Sequence, residues 1–129
     1  PLLGGAAVAW GFNLSHAGDY VVAVLARDAQ VGVDLESTSR KADITRLAQR
    51  VFSAREQADV VQGGSEAFFT LWSQKEALLK ALGCGWADGR LQRHTALAPV
   101  AFQGEPTTGA RVWSRPVMGG AYRLAVAMV

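Results

Sequence analysis

Runs of apolar residues with two different periods divide the chain into strands, then helices, then strands. Residues 6–14 and 20–26 are rich in β-forming side chains, with the turn-like Ser15-His16-Ala17-Gly18-Asp19 between them, and so predict neighbouring strands. Arg27-Asp28-Ala29-Gln30 reverses the chain into Val31-Gly32-Val33-Asp34-Leu35-Glu36. Alternation there sends Val31, Val33 and Leu35 to one face and Asp34 and Glu36 to the other, which predicts a half-buried strand with an acidic side. After a polar stretch over 37–42, Asp43 can cap a short helix. Ser53-Ala54-Arg55-Glu56 has the spacing of a capping box opening a second, and Gly63-Gly64 closes it. The strongest helical pattern covers about 66–82 and stops at Gly83, where glycine can take the left-handed C-cap conformation. Beyond Trp86 come three more strand candidates, 95–103, 110–114 and 122–128. This order predicts one α+β domain over 1–129, with helices packed on an antiparallel β-sheet.

On a wheel at 100° per residue, Phe68, Leu71, Leu78 and Leu82 of the long helix form one stripe, and Phe69, Trp72 and Leu79 an adjacent one. Thr70, Ser73, Gln74, Ala77 and Ala81 fill the remaining small or polar side. Most of such a helix is expected to be buried, yet Lys75 falls in the first apolar stripe and Glu76 in the second, with Lys80 one turn on at the edge of the arc. Charged groups at such positions need a partner or a ligand. Taken singly they have ordinary explanations. Glu76 and Lys80 have the spacing of an i,i+4 surface pair, Lys75 can snorkel past its neighbours, and acids at alternate strand positions usually mark a solvated face. Taken together, Asp34, Glu36 and Glu76 supply the oxygen ligands that Mg²⁺ accepts, with substrate phosphates completing its shell. Lys75 and Lys80 would then neutralise phosphate charge, and Ser15 and His16 add a hydroxyl and an imidazole for another phosphate. Ser15 and His16 do not read as half of a nucleophilic triad, since neighbours on a loop rarely give that geometry and no nucleophile-elbow motif is present.

Composition adds mostly exclusions. Half of the 129 residues are hydrophobic, enough for a single core, and a net charge of +2 is too mild to demand nucleic acid. The lone Cys84 forms no internal disulfide, so the cytoplasm is the default location. The longest apolar stretches are strand-length and broken, so no membrane span or signal peptide is expected. No Walker-type glycine loop, Rossmann fingerprint or zinc-ligand spacing occurs, and His94 and Cys84 read as structural or incidental. The four tryptophans lack the interleaved arginines of a nucleic-acid stacking platform.

Four segments in this order resemble the surfactin-type (Sfp-type) 4'-phosphopantetheinyl transferases: Phe12-Asn13-Leu14-Ser15-His16; Val31-Gly32-Val33-Asp34-Leu35-Glu36; Arg50-Val51-Phe52-Ser53-Ala54-Arg55-Glu56; and Phe69-Thr70-Leu71-Trp72-Ser73-Gln74-Lys75-Glu76-Ala77-Leu78-Leu79-Lys80, continued by Gly83-Cys84-Gly85. The resemblance covers roughly the first 90 residues, and the last 40 match only as strands. The short holo-acyl-carrier-protein synthases share the acidic and lysine-glutamate motifs but carry the serine-histidine motif last. Here it comes first, which with Trp72 favours the surfactin type. Ala17 departs from the small hydroxyl residue more usual there.

The resemblance implies a Mg²⁺-dependent transfer of 4'-phosphopantetheine from coenzyme A to a serine of an apo carrier protein, of acyl, polyketide or peptidyl type. The products would be holo-carrier protein and adenosine 3',5'-bisphosphate. It implies Asp34, Glu36 and Glu76 as metal ligands, Glu76 and Lys80 as catalytic groups, and Ser15, His16, Lys75 and Lys80 as coenzyme A contacts. It further implies a protein of two similar halves with coenzyme A between them, of which this chain is the carboxyl-terminal one. The start at Pro1, without an initiating methionine and just before the first strand-like run, points the same way. The missing half or a second chain would complete the cleft. The other readings are a non-catalytic module binding coenzyme A or a carrier protein, and an unrelated Mg²⁺-dependent phosphohydrolase.

Overall fold

The structure is a computed structural model that describes residues 2–4, 9–39, 43–83 and 110–129. The strand expected over 95–103, and Cys84 and His94, lie outside these residues. In chain order the elements are β1 (Leu2–Gly4), β2 (Ala9–Ala17), β3 (Tyr20–Arg27), β4 (Val31–Ser37), α1 (Ile44–Val51), α2 (Ala54–Leu82), β5 (Arg111–Val117) and β6 (Tyr122–Met128). The α+β class with helices packed on antiparallel strands holds, and among the described residues the strands form two three-stranded sheets, ordered β1-β2-β3 and β4-β6-β5, rather than one.

The local signals act where they stand. Asp43 caps α1 by accepting from the Arg46 N–H at 3.1 Å, and Ser53 and Glu56 form the reciprocal capping box of α2. The two helices expected on either side of Gly63-Gly64 run on as one element kinked at Gly64, whose φ of 66° and ψ of −148° interrupt the helix. Gly83 ends it in the left-handed conformation. The turn between β2 and β3 is tighter than expected. Ala17 already pairs with Tyr20, so Gly18 and Asp19 alone reverse the chain, and Ser15 and His16 belong to β2. Ladder pairing holds both residues in the strand, opposite Val22 and Val21.

The acidic side of β4 is not a solvated face. Val31, Gly32, Val33, Asp34 and Leu35 are all buried, because α2 lies across the side that carries Gly32, Asp34 and Glu36. A Cβ added to Gly32 would stand 2.0 Å from the Ala77 carbonyl oxygen, so only glycine admits this approach. The small side of α2 faces inward for the same reason. Ala77 and Ala81 join Leu78 and Leu79 in a core with Val112, Ala125 and Ala127, and Ser73 and Gln74 are buried too. A second core between α1 and α2 gathers Ala48, Phe52, Val60, Phe68, Phe69 and Leu71. No described helix is long and apolar enough to cross a membrane.

The two sheets meet where β2 runs beside β4 in the same direction. Backbone pairing is replaced there by side chains: the Val33 N–H donates to Asn13 Oδ1 at 3.1 Å and the Leu35 N–H to Ser15 Oγ at 3.0 Å.

Candidate functional site

That joint, with α2 above it, forms a cleft of about 470 Å³. β2 contributes Ser15 and His16, β4 contributes Asp34 and Glu36, and α2 contributes Trp72, Glu76 and Lys80. The i,i+4 spacing from Trp72 through Glu76 to Lys80 puts all three on one helix face. Six of the seven side chains singled out from the sequence therefore meet in one place.

Asp34 is the most constrained of them. It is 5% exposed, and its Oδ2 is buried without a hydrogen-bond partner. Burial, then the negative charge of Glu36, push its carboxyl from an ordinary 3.8 up to about 8; Lys80 pulls the other way, and a hydrogen bond between the Asp34 and Glu36 carboxyls and then the charge of Glu76 add smaller upward pushes. The Lys80 ammonium donates to the Val33 carbonyl oxygen at 2.9 Å and lies 3.7 Å from Asp34 Oδ1, so its charge is directed to β4. The Trp72 indole N–H donates to Glu36 Oε1 at 3.1 Å and orients that carboxylate. Ser15 is buried, whereas His16 is exposed on the cleft rim.

Lys75 goes elsewhere. Its ammonium lies 2.9 Å from Glu56 Oε2, with both side chains almost wholly buried, and stands over the Phe52 ring. Neighbours on a helix diverge by about 100°, so Glu76 turns to the cleft while Lys75 turns into the α1–α2 core. Burial lowers its pKa and Glu56 opposes that shift. The expectation that Lys75 supports the phosphates is corrected by this geometry.

Sequence reasoning passed over three residues that shape the site. Glu56 appeared only as a helix cap, and nothing local marks it as the partner of Lys75. Asn13 lay within a recognised motif without a role. Trp72 carried a usable signal, since an indole N–H on a mostly buried helix requires an acceptor.

Among the described residues, no three His, Cys, Asp or Glu groups are gathered closely enough to cage an ion as they stand. The acids border the cleft instead, and the unpartnered Asp34 Oδ2, beside Glu36 and Glu76, is the atom that calls for a cation. A hard divalent ion that keeps several waters and takes substrate phosphate oxygens suits such an open set of oxygens.

Residues 30–126 match the family profile of the 4'-phosphopantetheinyl transferase superfamily. The chain belongs to this superfamily. The superfamily match contains Asp34, Glu36, Glu76 and Lys80, while the β2 residues Ser15 and His16 precede it. Among curated relatives, the 4'-phosphopantetheinyl transferase psf-1 of Bacillus pumilus is 44% identical over 82 residues, covering 60% of this chain and 34% of the relative. The 4'-phosphopantetheinyl transferase AcpT of Salmonella typhimurium is 36% identical over 87 residues, covering 64% and 45%. The L-aminoadipate-semialdehyde dehydrogenase-phosphopantetheinyl transferase of Xenopus laevis is 30% identical over 102 residues, covering 71% and 34%. The chain thus spans from about a third to under half of the length of these superfamily members.

Proposed function

We propose that this chain is one half of a surfactin-type 4'-phosphopantetheinyl transferase that, with Mg²⁺, moves the phosphopantetheine arm of coenzyme A to a serine of an apo carrier protein. The observation that carries the reading is the buried, unpartnered Asp34 Oδ2 in a cleft shared with Glu36, Glu76 and Lys80. Asp34, Glu36 and Glu76 would hold Mg²⁺, which supplies positive charge to the coenzyme A pyrophosphate. Glu76 accepts the proton of the carrier serine as its oxygen attacks the phosphorus bearing the pantetheine arm. The bond from that phosphorus to adenosine 3',5'-bisphosphate breaks, and Lys80 offsets the charge left on the departing phosphate. Ser15, whose Oγ already accepts from Leu35, retains its hydroxyl proton to donate to a nucleotide phosphate, and the exposed His16 adds a second contact. Trp72 keeps Glu36 aimed at the cleft.

A second body, the missing half or another chain, completes the site in this reading. Supporting it, Trp10 and Leu14 of β2 and Val21 and Leu25 of β3 are exposed on one sheet face, and Leu14 also lines the cleft.

The test is mass spectrometry of an apo carrier protein incubated with coenzyme A, Mg²⁺ and this chain, alone and joined to the half it is proposed to lack. One added phosphopantetheine in either mixture supports the transferase. Coenzyme A cleavage without carrier would favour a phosphohydrolase, and binding without turnover a non-catalytic module. Glu76→Gln is expected to abolish transfer while coenzyme A still binds, and retained turnover would refute the general-base role.

A further inference from the structure

β4 pairs with β6 along one edge, and its other edge presents the N–H groups of Val33 and Leu35 to β2. Left bare, these would be unpaired buried donors. Asn13 and Ser15 satisfy them, each from a position 20 residues earlier, so alternate side chains of β2 act as the rungs of a parallel ladder. Gly11, one alternate position earlier on β2, packs against the turn that leads into β4: a Cβ there would fall 1.9 Å from the Ala29 carbonyl oxygen, so the approach leaves no room for a side chain. Asp34 sits between the two clamped N–H groups, and the carbonyl of Val33 is the oxygen that holds the Lys80 ammonium. Ser15 borders the cleft and has a contact role in the proposed reaction. Asn13 does not line the cleft and is half-buried; among the described residues its hydrogen bond to the site runs through Val33.

We infer that Asn13 is a positioning residue. Its amide oxygen sets the register of β4 against β2, so that Asp34 and Lys80 face the Ser15–His16 pair across one cleft. The inference rests on the reading of that cleft as the Mg²⁺ and coenzyme A site. Groups that orient ligands from outside typically change metal affinity 10- to 100-fold when lost, so removal of this rung is expected to weaken Mg²⁺ binding by about tenfold or more.

The experiment is calorimetric titration of Mg²⁺, in the presence of coenzyme A, into the full-length protein. Asn13→Leu keeps the approximate shape and removes the acceptor. Asn13→Asp keeps an acceptor oxygen at the same reach. Val60→Ala, in the α1–α2 core, loosens the fold away from the cleft. The expected result is loss of affinity in Asn13→Leu, recovery of most of it in Asn13→Asp, and a lowered Tm with unchanged affinity in Val60→Ala. Asn13→Ala replaces Asn13→Leu, with the same expectation, should the leucine variant not fold. Wild-type affinity in the acceptor-less variant overturns the inference while leaving the cleft reading intact. So does a loss that merely tracks Tm across all variants. Absence of any Mg²⁺ or coenzyme A binding by the unmodified protein overturns both together.

Discussion

Gly32→Ala tests the close backbone approach between α2 and β4. The new Cβ would meet the Ala77 carbonyl oxygen at 2.0 Å, the Ala81 nitrogen at 2.6 Å and Lys80 Cβ at 2.9 Å. Two of these obstacles are helix backbone and cannot rotate aside, so α2 must retreat from β4 by about 1 Å in an interior packed as densely as an organic crystal. Overpacking typically costs about 1–3 kcal/mol, and a backbone obstacle places this case at the upper end. At about 3 kcal/mol and about 4 °C per kcal/mol for a chain of this size, Tm should fall by about 12 °C. The same retreat carries Glu76 and Lys80 away from Asp34. A misplacement of about 1 Å can lower turnover about 100-fold, so the folded variant should lose nearly all of the proposed carrier-protein transfer. Thermal denaturation followed by circular dichroism, with transfer assayed well below Tm, measures both effects. An alanine variant with unchanged Tm and wild-type transfer would refute the claim that this contact sets the distance between helix and strand.

Three further outcomes are expected. Glu56→Ala leaves the Lys75 ammonium buried without its counter-charge and should lose about 3–5 kcal/mol in urea unfolding, most of it regained when Glu56→Leu is combined with Lys75→Met. Ser53→Ala removes one side of the capping box and should lose about 1 kcal/mol by the same measurement. The Asp34 carboxyl, faced by Glu36, Glu76, Lys80 and His16, holds its proton more tightly folded, at about 8, than its ordinary 3.8. Its contribution to metal-free stability is therefore full below about pH 4 and lost as pH rises toward about 8. Asp34→Asn should flatten that slope in guanidinium unfolding, and an unchanged slope would remove Asp34 as its source.

Much of the fold was legible because its signals are local. Asp43, the Ser53–Glu56 box, the Gly64 interruption and the Gly83 stop each act within one helical turn, and the alternation of Val31 to Glu36 survives as β4. The candidate site was legible to the extent that spacing implies a face. Trp72, Glu76 and Lys80 at i,i+4, and Asp34 and Glu36 at i,i+2, remain together in any fold that keeps the helix and the strand.

What remained depends on contacts between residues far apart in the chain. Whether β4 had one covered face or two was decided by α2 lying across Gly32, and that burial raises the Asp34 pKa and leaves its Oδ2 without a partner. Lys75 and Lys80 look alike in sequence, yet Glu56 draws one into the core while Val33 and Asp34 hold the other at the cleft. Two sheets formed where one was expected because side chains of Asn13 and Ser15, rather than backbone pairing, close the edge of β4. Sequence determined which groups are present and which face each occupies; tertiary structure decided which charges meet, because desolvation and partner choice arise only when distant segments pack.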